Sequence, residues 1–506
     1  MGSVVAVDAG TTGVRALVVD ETGQVVDLAY REITQHYPRP GWVEHDASEI
    51  WQAVVGTLHE VTARLDKAHT PVAAIGLTNQ RETAVAWDRR TGRPLHRAIV
   101  WQDRRTAERC DELRAGGHLP LVRSRTGLVL DSYFSATKYA WMLGPGGIGA
   151  PSGDLALGTV DSWVLWNLTG GVAGGIFATD PTNAGRTLLF DIHEREWSEE
   201  LCELFGVPLG ALAEVRPSCG RFGSLHPDAV PGADALAGVP VSGIAGDQQA
   251  ALFGQACFEP GMVKVTYGTG SFVLVNAGAT CPEAPDGLLA TIAWDLGEHG
   301  GPNGPVAYAL EGSTFVSGAA IQWLRDGLGI IERSEDMGPL AESVPDSGGV
   351  AMVPAFTGLG SPWWDPRARG TITGLTRGAG RAQIARATVE AMAYQVRDMV
   401  DAMTTASGPV AQLRADGGAA AMGLLLQLQA DQVRTAVVRP RSVESTALGA
   451  ATLAGLATGV WGSLQDLGAL WTLDVEHTPR TDRESADLLY AGWLRAVGRA
   501  RDWGRP

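Results

Sequence analysis

The sequence predicts an α/β protein made of two related halves. Three observations carry that reading. The turns Gly10-Thr11-Thr12-Gly13 and Gly268-Thr269-Gly270 stand about half a chain apart, and each joins two strand-like runs into a hairpin. The same order, hairpin and then helix, recurs behind each turn. A chain of 506 residues is also too long for one core and points to two large domains.

The elements can be taken in order. Strand signals run from Val4 to Asp8, Ala16 to Asp20 and Gln24 to Tyr30, and a helical stretch follows from Ala47 to Leu65. In the second half Val263 to Thr266 and Ser271 to Asn276 read as strands, Ser317 to Leu328 as a helix, Val350 to Pro354 as a strand and Arg381 to Thr404 as a helix. The boundary is expected within residues 248–258, giving domains 1–250 and 251–506. Gly144 to Gly153 and Gly297 to Pro305, rich in glycine and proline, read as surface loops. The longest uncharged run, Ser445 to Gln465, is rich in Ala, Gly and Thr rather than Leu, Ile and Phe. It reads as a closely packed buried helix and not as a membrane span.

Composition narrows the function. Hydrophobic residues make up 45% of the chain and charged ones 19%, which is a globular balance. A formal charge of −16 argues against nucleic acid or an anionic membrane as the main partner. Any nucleotide would therefore be held by backbone amides, magnesium and a few placed side chains. Cys110, Cys202, Cys219, Cys257 and Cys281 are scattered with no C-x-x-C pair and read as reduced thiols. No basic region precedes the first apolar stretch, which Asp8 interrupts, so no signal peptide is expected and a cytoplasmic protein follows.

Turns of Gly and Thr offer unshielded backbone N–H groups and small hydroxyls, which suit a polyphosphate that protein must approach closely. Neither turn is a P-loop, and neither has the G-x-G-x-x-G form followed by an acidic residue. Facing each other, the two could clamp one nucleotide. Between them, Gly243 to Gly254 places Asp247 where an apolar strand stops and a helix begins. An aspartate there ordinarily caps the helix, although an acid near the hinge of two phosphate-binding halves is also well placed as a base. Arg81 and Glu82 follow the strand-like run Ala73 to Thr78, where adjacent opposite charges are usually solvated. Trp101, Tyr133 and Phe272 would each ordinarily be packing residues. Together these side chains form the inventory for a small polyol: donors, acceptors, and aromatic faces for C–H edges.

The chain resembles the FGGY carbohydrate kinase family over nearly its whole length. The likeness shows in Pro40-Gly41-Trp42-Val43-Glu44-His45-Asp46, Thr78-Asn79-Gln80-Arg81-Glu82-Thr83, Val100-Trp101-Gln102, Asp161-Ser162-Trp163, Gly243 to Gly254, Thr266 to Gly270 and Pro354 to Gly360. Two family signatures are matched, one from Tyr133 to Trp141 and one from Gly370 to Glu390. The resemblance implies duplicated domains of the actin, hexokinase and Hsp70 type (ribonuclease H-like) with a cleft between them. It implies ATP-dependent phosphorylation of glycerol with Mg2+, often by a homodimer or homotetramer. It further implies that Arg81, Glu82, Tyr133, Asp247 and Gln248 hydrogen-bond glycerol, that Trp101 and Phe272 pack on its carbons, and that Asp247 is the base. Asp8 matches the magnesium acid. Thr11, Thr12, Gly13, Arg15, Gly268 and Thr269 match the phosphate turns, and Gly318, Gln322, Gly418 and Met422 match positions lining the nucleotide.

Three departures qualify the resemblance. Met422 stands where well-known glycerol-phosphorylating members carry an asparagine close to adenine. A thioether can pack on adenine but cannot replace a directional bond worth roughly 0.5 to 1.5 kcal/mol, so weaker or less base-selective ATP use is expected. Ala9 and Gly13 replace a frequent glutamine and serine in the first turn. Pro227 to Val239 lacks the Gly-Gly-Thr-Arg element with which some bacterial relatives bind fructose 1,6-bisphosphate, with Gly238 about where the arginine would be, so that feedback is not expected. Two other readings compete: an FGGY kinase of another small polyol or ketose, and a catalytically silent polyol-binding protein.

Overall fold

The two glycine-threonine turns close equivalent hairpins in two sheets of the same plan. The computed structural model describes residues 2–65, 71–148, 153–300, 304–501 and 503. In the first half β1 (Ser3–Ala9) pairs antiparallel with β2 (Gly13–Val19), with Asp8 opposite Arg15, and β2 pairs antiparallel with β3 (Val25–Glu32). On the other side of β1 lie β4 (Val72–Asn79), parallel to β1, then β5 (Cys219–Ser224) beyond β6 (Pro240–Gly246), which is parallel to β4. The sheet order is β3-β2-β1-β4-β6-β5.

The second half repeats this plan. β7 (Met262–Tyr267) and β8 (Ser271–Gly278) form the hairpin, and β8 continues antiparallel through β10 (Val306–Thr314) to β9 (Leu289–Asp295). β11 (Gln412–Asp416) runs parallel to β7, β12 (Val437–Pro440) parallel to β11, and β13 (Leu473–His477) closes the edge antiparallel. The inner strands are apolar on both faces because helices cover both sides. α1 (Ala47–Arg64) shows how local sequence sets such a helix. Asp46 caps it by accepting from the Ser48 N–H at 2.8 Å, and Ile50, Val54, Leu58 and Val61 form the buried stripe that packs on β2 and β3.

Two helices cross between the halves. α4 (Asp247–Gly254) follows β6, and α8 (Ser445–Ala457) follows β12, so they are equivalents in the duplicated plan. α8 leaves the second sheet and packs on β1, β4 and β6 of the first, whereas α4 touches β7, β8 and β9 of the second. Small residues permit the crossing. A Cβ on Gly449 would lie 1.8 Å from the Ala250 carbonyl oxygen, and one on Gly76 of β4 would lie 2.1 Å from the Ala450 carbonyl. The expected boundary after residue 250 therefore falls inside α4.

Two expectations about single elements need amending. The uncharged run from Ser445 to Gln465 is not one helix, because α8 ends at Ala457 and Gly459, at φ +73°, turns the chain toward a second helix that starts at Leu464. The helix expected over Arg381 to Thr404 is α6 of the chain order that includes α2 (Ser135–Leu143), α3 (Val160–Leu168) and α5 (Gly318–Asp326); it continues to Ser407. The last long helix before α8 is α7 (Gly423–Val433). Of the expected loops, 149–152 and 301–303 lie outside the described residues. The five cysteines are free thiols. Among the described residues no helix is long and apolar enough to cross a membrane.

Candidate active site

Parallel pairing brings the first site residues together. Ala245 of β6 lies opposite Thr78 of β4, and Gly246 opposite Asn79, so Asp247 and Arg81 leave adjacent strand ends side by side. Gly246 is needed there, since a Cβ would lie 2.6 Å from Arg81 Cγ. Gly246 is also the N-cap of α4. Asp247 is the first helical residue and accepts from its neighbour's N–H, Gln248, at 2.7 Å, so the ordinary capping role belongs to a backbone position and leaves the carboxylate to other work.

Arg81 and Glu82 are buried, contrary to the usual fate of such a pair. Arg81 Nε forms an ion pair with Asp247 Oδ1 at 3.2 Å. Its two terminal nitrogens grip the Glu311 carboxylate at 2.6 and 3.1 Å, and they also reach Gln249 Oε1 at 3.1 Å and the Tyr133 hydroxyl at 3.3 Å. Glu82 has a left-handed backbone at φ +57°, a conformation that costs a non-glycine residue energy and needs outside support. Its carbonyl accepts from Ser135 Oγ at 3.0 Å and Lys138 Nζ at 3.1 Å, and its carboxylate accepts from Arg186 Nε at 2.6 Å. Arg186 also donates to Glu311 at 3.0 Å.

The charges separate the acids by role. Burial alone would raise Glu311, but Arg186 and Arg81 hold its pKa down at about 2. Burial raises Glu82, which has one close guanidinium bond and meets Arg81 only at 3.8 Å. Burial also raises Asp247, against the pull of Arg81 and Lys264. The Asp247 side chain is 29% exposed, whereas those of Arg81, Glu82 and Glu311 are within 1% of fully closed. Asp247 is thus the carboxylate of this cluster that reaches solvent. Gln248 accepts from the buried Lys264 at 2.5 Å, and burial lowers the Lys264 pKa to about 8.

Beside this cluster stands an aromatic wall. Trp101 meets Tyr133 edge-on at 5.6 Å and Phe272 at 6.4 Å. The Trp101 Nε1 donates to Thr11 Oγ1 at 2.9 Å, which joins the wall to the first glycine-threonine turn. Thr12 is exposed at the tip of that turn, and the Gly10 N–H bonds the Gly13 carbonyl at 3.0 Å. In the second turn Gly268 and Thr269 are exposed, and the start of α5 braces them: the Gly318 N–H donates to the Gly268 carbonyl at 2.9 Å. A Cβ on Gly270 would lie 2.1 Å from the Thr314 carbonyl, so the turn sits flat against β10.

The remaining expected residues are more dispersed. Arg15, on β2, pairs with Glu444 at 2.9 Å. Gly418 is exposed with open space above its Cα, and Met422, just ahead of α7, packs toward Gly338. Gln322 is exposed on α5. Asp8 lies one residue before the end of β1, and burial pushes its pKa up to about 7, with Arg15 opposing and the Asp247 and Glu444 charges adding to the rise. Among the described residues no set of three His, Cys, Asp or Glu forms a metal cage. A divalent cation at Asp8 would suit that charge-poor acid, and its other ligands would be phosphate oxygens and water.

Residues 3–254 match the FGGY family of carbohydrate kinases, N-terminal domain, and residues 263–458 match the C-terminal domain of the same family. The chain belongs to the FGGY family of carbohydrate kinases. Among similar FGGY kinases, a glycerol kinase of Carboxydothermus hydrogenoformans is 51% identical over 99% of this chain and 98% of its own. A glycerol kinase of Symbiobacterium thermophilum is 52% identical over 99% of both. Among solved structures, Plasmodium falciparum glycerol kinase with ADP superposes with a TM-score of 0.91 at 34% identity, covering 99% of this chain and 98% of that one. A xylulose kinase of Lactobacillus acidophilus, at 19% identity and a TM-score of 0.86, covers 99% of this chain and 97% of its own and shares the fold.

Sequence reasoning passed over Glu311, Arg186, Lys264, Gln249 and Lys138. A signal was present for two of them. Glu311 and Lys264 interrupt apolar runs in central strands, where a charge is buried only if it is paired.

Proposed function

We propose that this FGGY kinase transfers the γ-phosphoryl group of ATP to a terminal hydroxyl of glycerol, giving sn-glycerol 3-phosphate and ADP. The observation that carries the reading is the position of Asp247: a half-open carboxylate, raised by burial and 3.2 Å from Arg81 Nε, beside a wall of three aromatic rings. Similarity to glycerol kinases at about half identity over the full length supports the substrate. Trp101 and Phe272 cover the carbon skeleton and leave room for a short polyol, while Arg81, Glu82, Tyr133 and Gln248 orient its hydroxyls.

Asp247 accepts the proton of the terminal hydroxyl as that oxygen turns toward phosphorus. A carboxylate whose pKa is raised by burial is, once deprotonated, a stronger base than an exposed one. Arg81 holds it in place from one side. The amides of the two glycine-threonine turns face the phosphates, and the glycines let the backbone approach closely. ATP supplies the phosphoryl group, and a magnesium ion held beside Asp8 would neutralise the charge on its oxygens. In this reading residues 1–250 bring the polyol site, Asp8 and the first turn, and residues 251–506 bring the second turn, Gly318, Gln322, Gly418 and Met422.

A coupled ADP-release assay over glycerol, dihydroxyacetone, erythritol, xylulose and ribulose tests this. Glycerol is expected to give the highest kcat/KM, and Asp247→Asn should lower kcat by about 10² to 10⁴. Preference for a pentulose would overturn the substrate, and near-normal turnover by the variant would overturn the base.

A further inference from the structure

We propose that Glu311 is a positioning residue for the polyol site, holding the guanidinium groups of Arg81 and Arg186 together so that Arg81 turns only its Nε edge toward Asp247 and the substrate. The proposal rests on the reading of Asp247 as the base. Glu311 belongs to β10 of the second sheet, while Arg81 and Arg186 belong to the first half. Its carboxylate receives Arg81 Nη1 at 2.6 Å, Arg81 Nη2 at 3.1 Å and Arg186 Nη2 at 3.0 Å, and it is fully closed to solvent. A polyol site built mainly on the first half, with Phe272 from the second, is therefore also shaped by a charge from the second.

The strand context shows that this charge is placed against cost. Glu311 lies opposite Leu274 and Leu289 in its sheet, among apolar neighbours. A carboxylate there is tolerated because two guanidiniums meet it. The dependence is mutual. Arg186 has Glu82 and Glu311 as its carboxylate partners, and its Nη1 has no hydrogen-bond partner among the described residues. Charged groups facing Asp247 come from four elements: Asp8 on β1, Arg81 after β4, Lys264 on β7 and Glu311 on β10. With Glu311 neutral, the terminal fork of Arg81 loses its carboxylate. Gln249 and Tyr133 remain as neutral acceptors, and the nearest remaining carboxylate is Asp247, 3.2 Å from Nε against 3.8 Å for Glu82. A fork-to-carboxylate pair there would occupy the lone pairs that must receive the hydroxyl proton, and would make the carboxylate a weaker base.

The test compares the full-length wild-type chain with Glu311→Gln, which keeps the size and loses the charge, and Glu311→Asp, which keeps the charge on a shorter arm. In Glu311→Gln the glycerol KM should rise about tenfold or more with the ATP KM changed less than about twofold, because the broken pair borders only the polyol. The acid limb of the kcat/KM profile should also move to lower pH. Glu311→Asp should raise the glycerol KM while leaving the acid limb at its wild-type position. Unchanged glycerol KM and acid limb in a folded Glu311→Gln protein would overturn the proposal, as would equal rises in both KM values. Should Glu311→Gln not fold, an unchanged glycerol KM in Glu311→Asp would overturn it. Wild-type turnover alone decides the substrate, and the variants are compared on whichever polyol the wild type uses, so the two readings fail separately.

Discussion

The Trp101 indole donates to the Thr11 hydroxyl at 2.9 Å, so one side chain of the aromatic wall is fastened to the first glycine-threonine turn. In the proposed function this bond joins the polyol site to the phosphate site. Trp101→Phe keeps an aromatic ring but removes the donor, and a bond of this kind is worth about 0.5 to 1.5 kcal/mol. Steady-state kinetics should show both the polyol KM and the ATP KM raised by about two- to tenfold. A change confined to the polyol KM would show that Thr11 does not depend on this contact.

Met422 packs toward Gly338 at the mouth of α7, where the Cβ of a substituted Gly338 would come within 3.3 Å of Met422 Cγ. A methionine there offers contact but no directional bond to a base. Met422→Asn should lower the ATP KM and raise the preference for ATP over GTP, by up to about tenfold for one added hydrogen bond. If neither quantity moves, adenine recognition does not pass through this position.

Asp161, in α3, accepts from Thr159 Oγ1 at 2.5 Å and Thr179 Oγ1 at 2.6 Å, yet burial raises its pKa from 3.8 to about 7. The folded state thus holds a proton that the unfolded state has released between those pH values. This group stabilises fully below about pH 4, and its contribution is lost as pH rises toward 7. Asp161→Asn removes the titration. Thermal melts should show the variant gaining on the wild type as pH is raised through that window, and a difference independent of pH would show that the carboxyl does not titrate there.

Much of this was legible along the chain. The hairpins of β1 with β2 and of β7 with β8 are local, so strand composition and Gly-Thr turns were enough to find them. Asp247 was visible as an acid at a strand-to-helix junction. Its residue type alone left capping and base chemistry open, the family resemblance implied the base, and the structure adds that Gly246 rather than Asp247 is the N-cap. The uncharged run from Ser445 misled in length because the glycine that ends α8 is one among many in an Ala-Gly-Thr stretch.

The sequence by itself determined the paired hairpins, their glycine-threonine turns and the kinds of side chain placed near them. Tertiary structure alone decided that Arg81 and Glu82 are buried, that Glu311 reaches them from the second sheet, and that α8 lies on the first. The physical reason is range. Turn and strand preferences arise between neighbours, whereas a buried charge is stable only beside its counter-charge, and here that partner is 230 residues further along the chain.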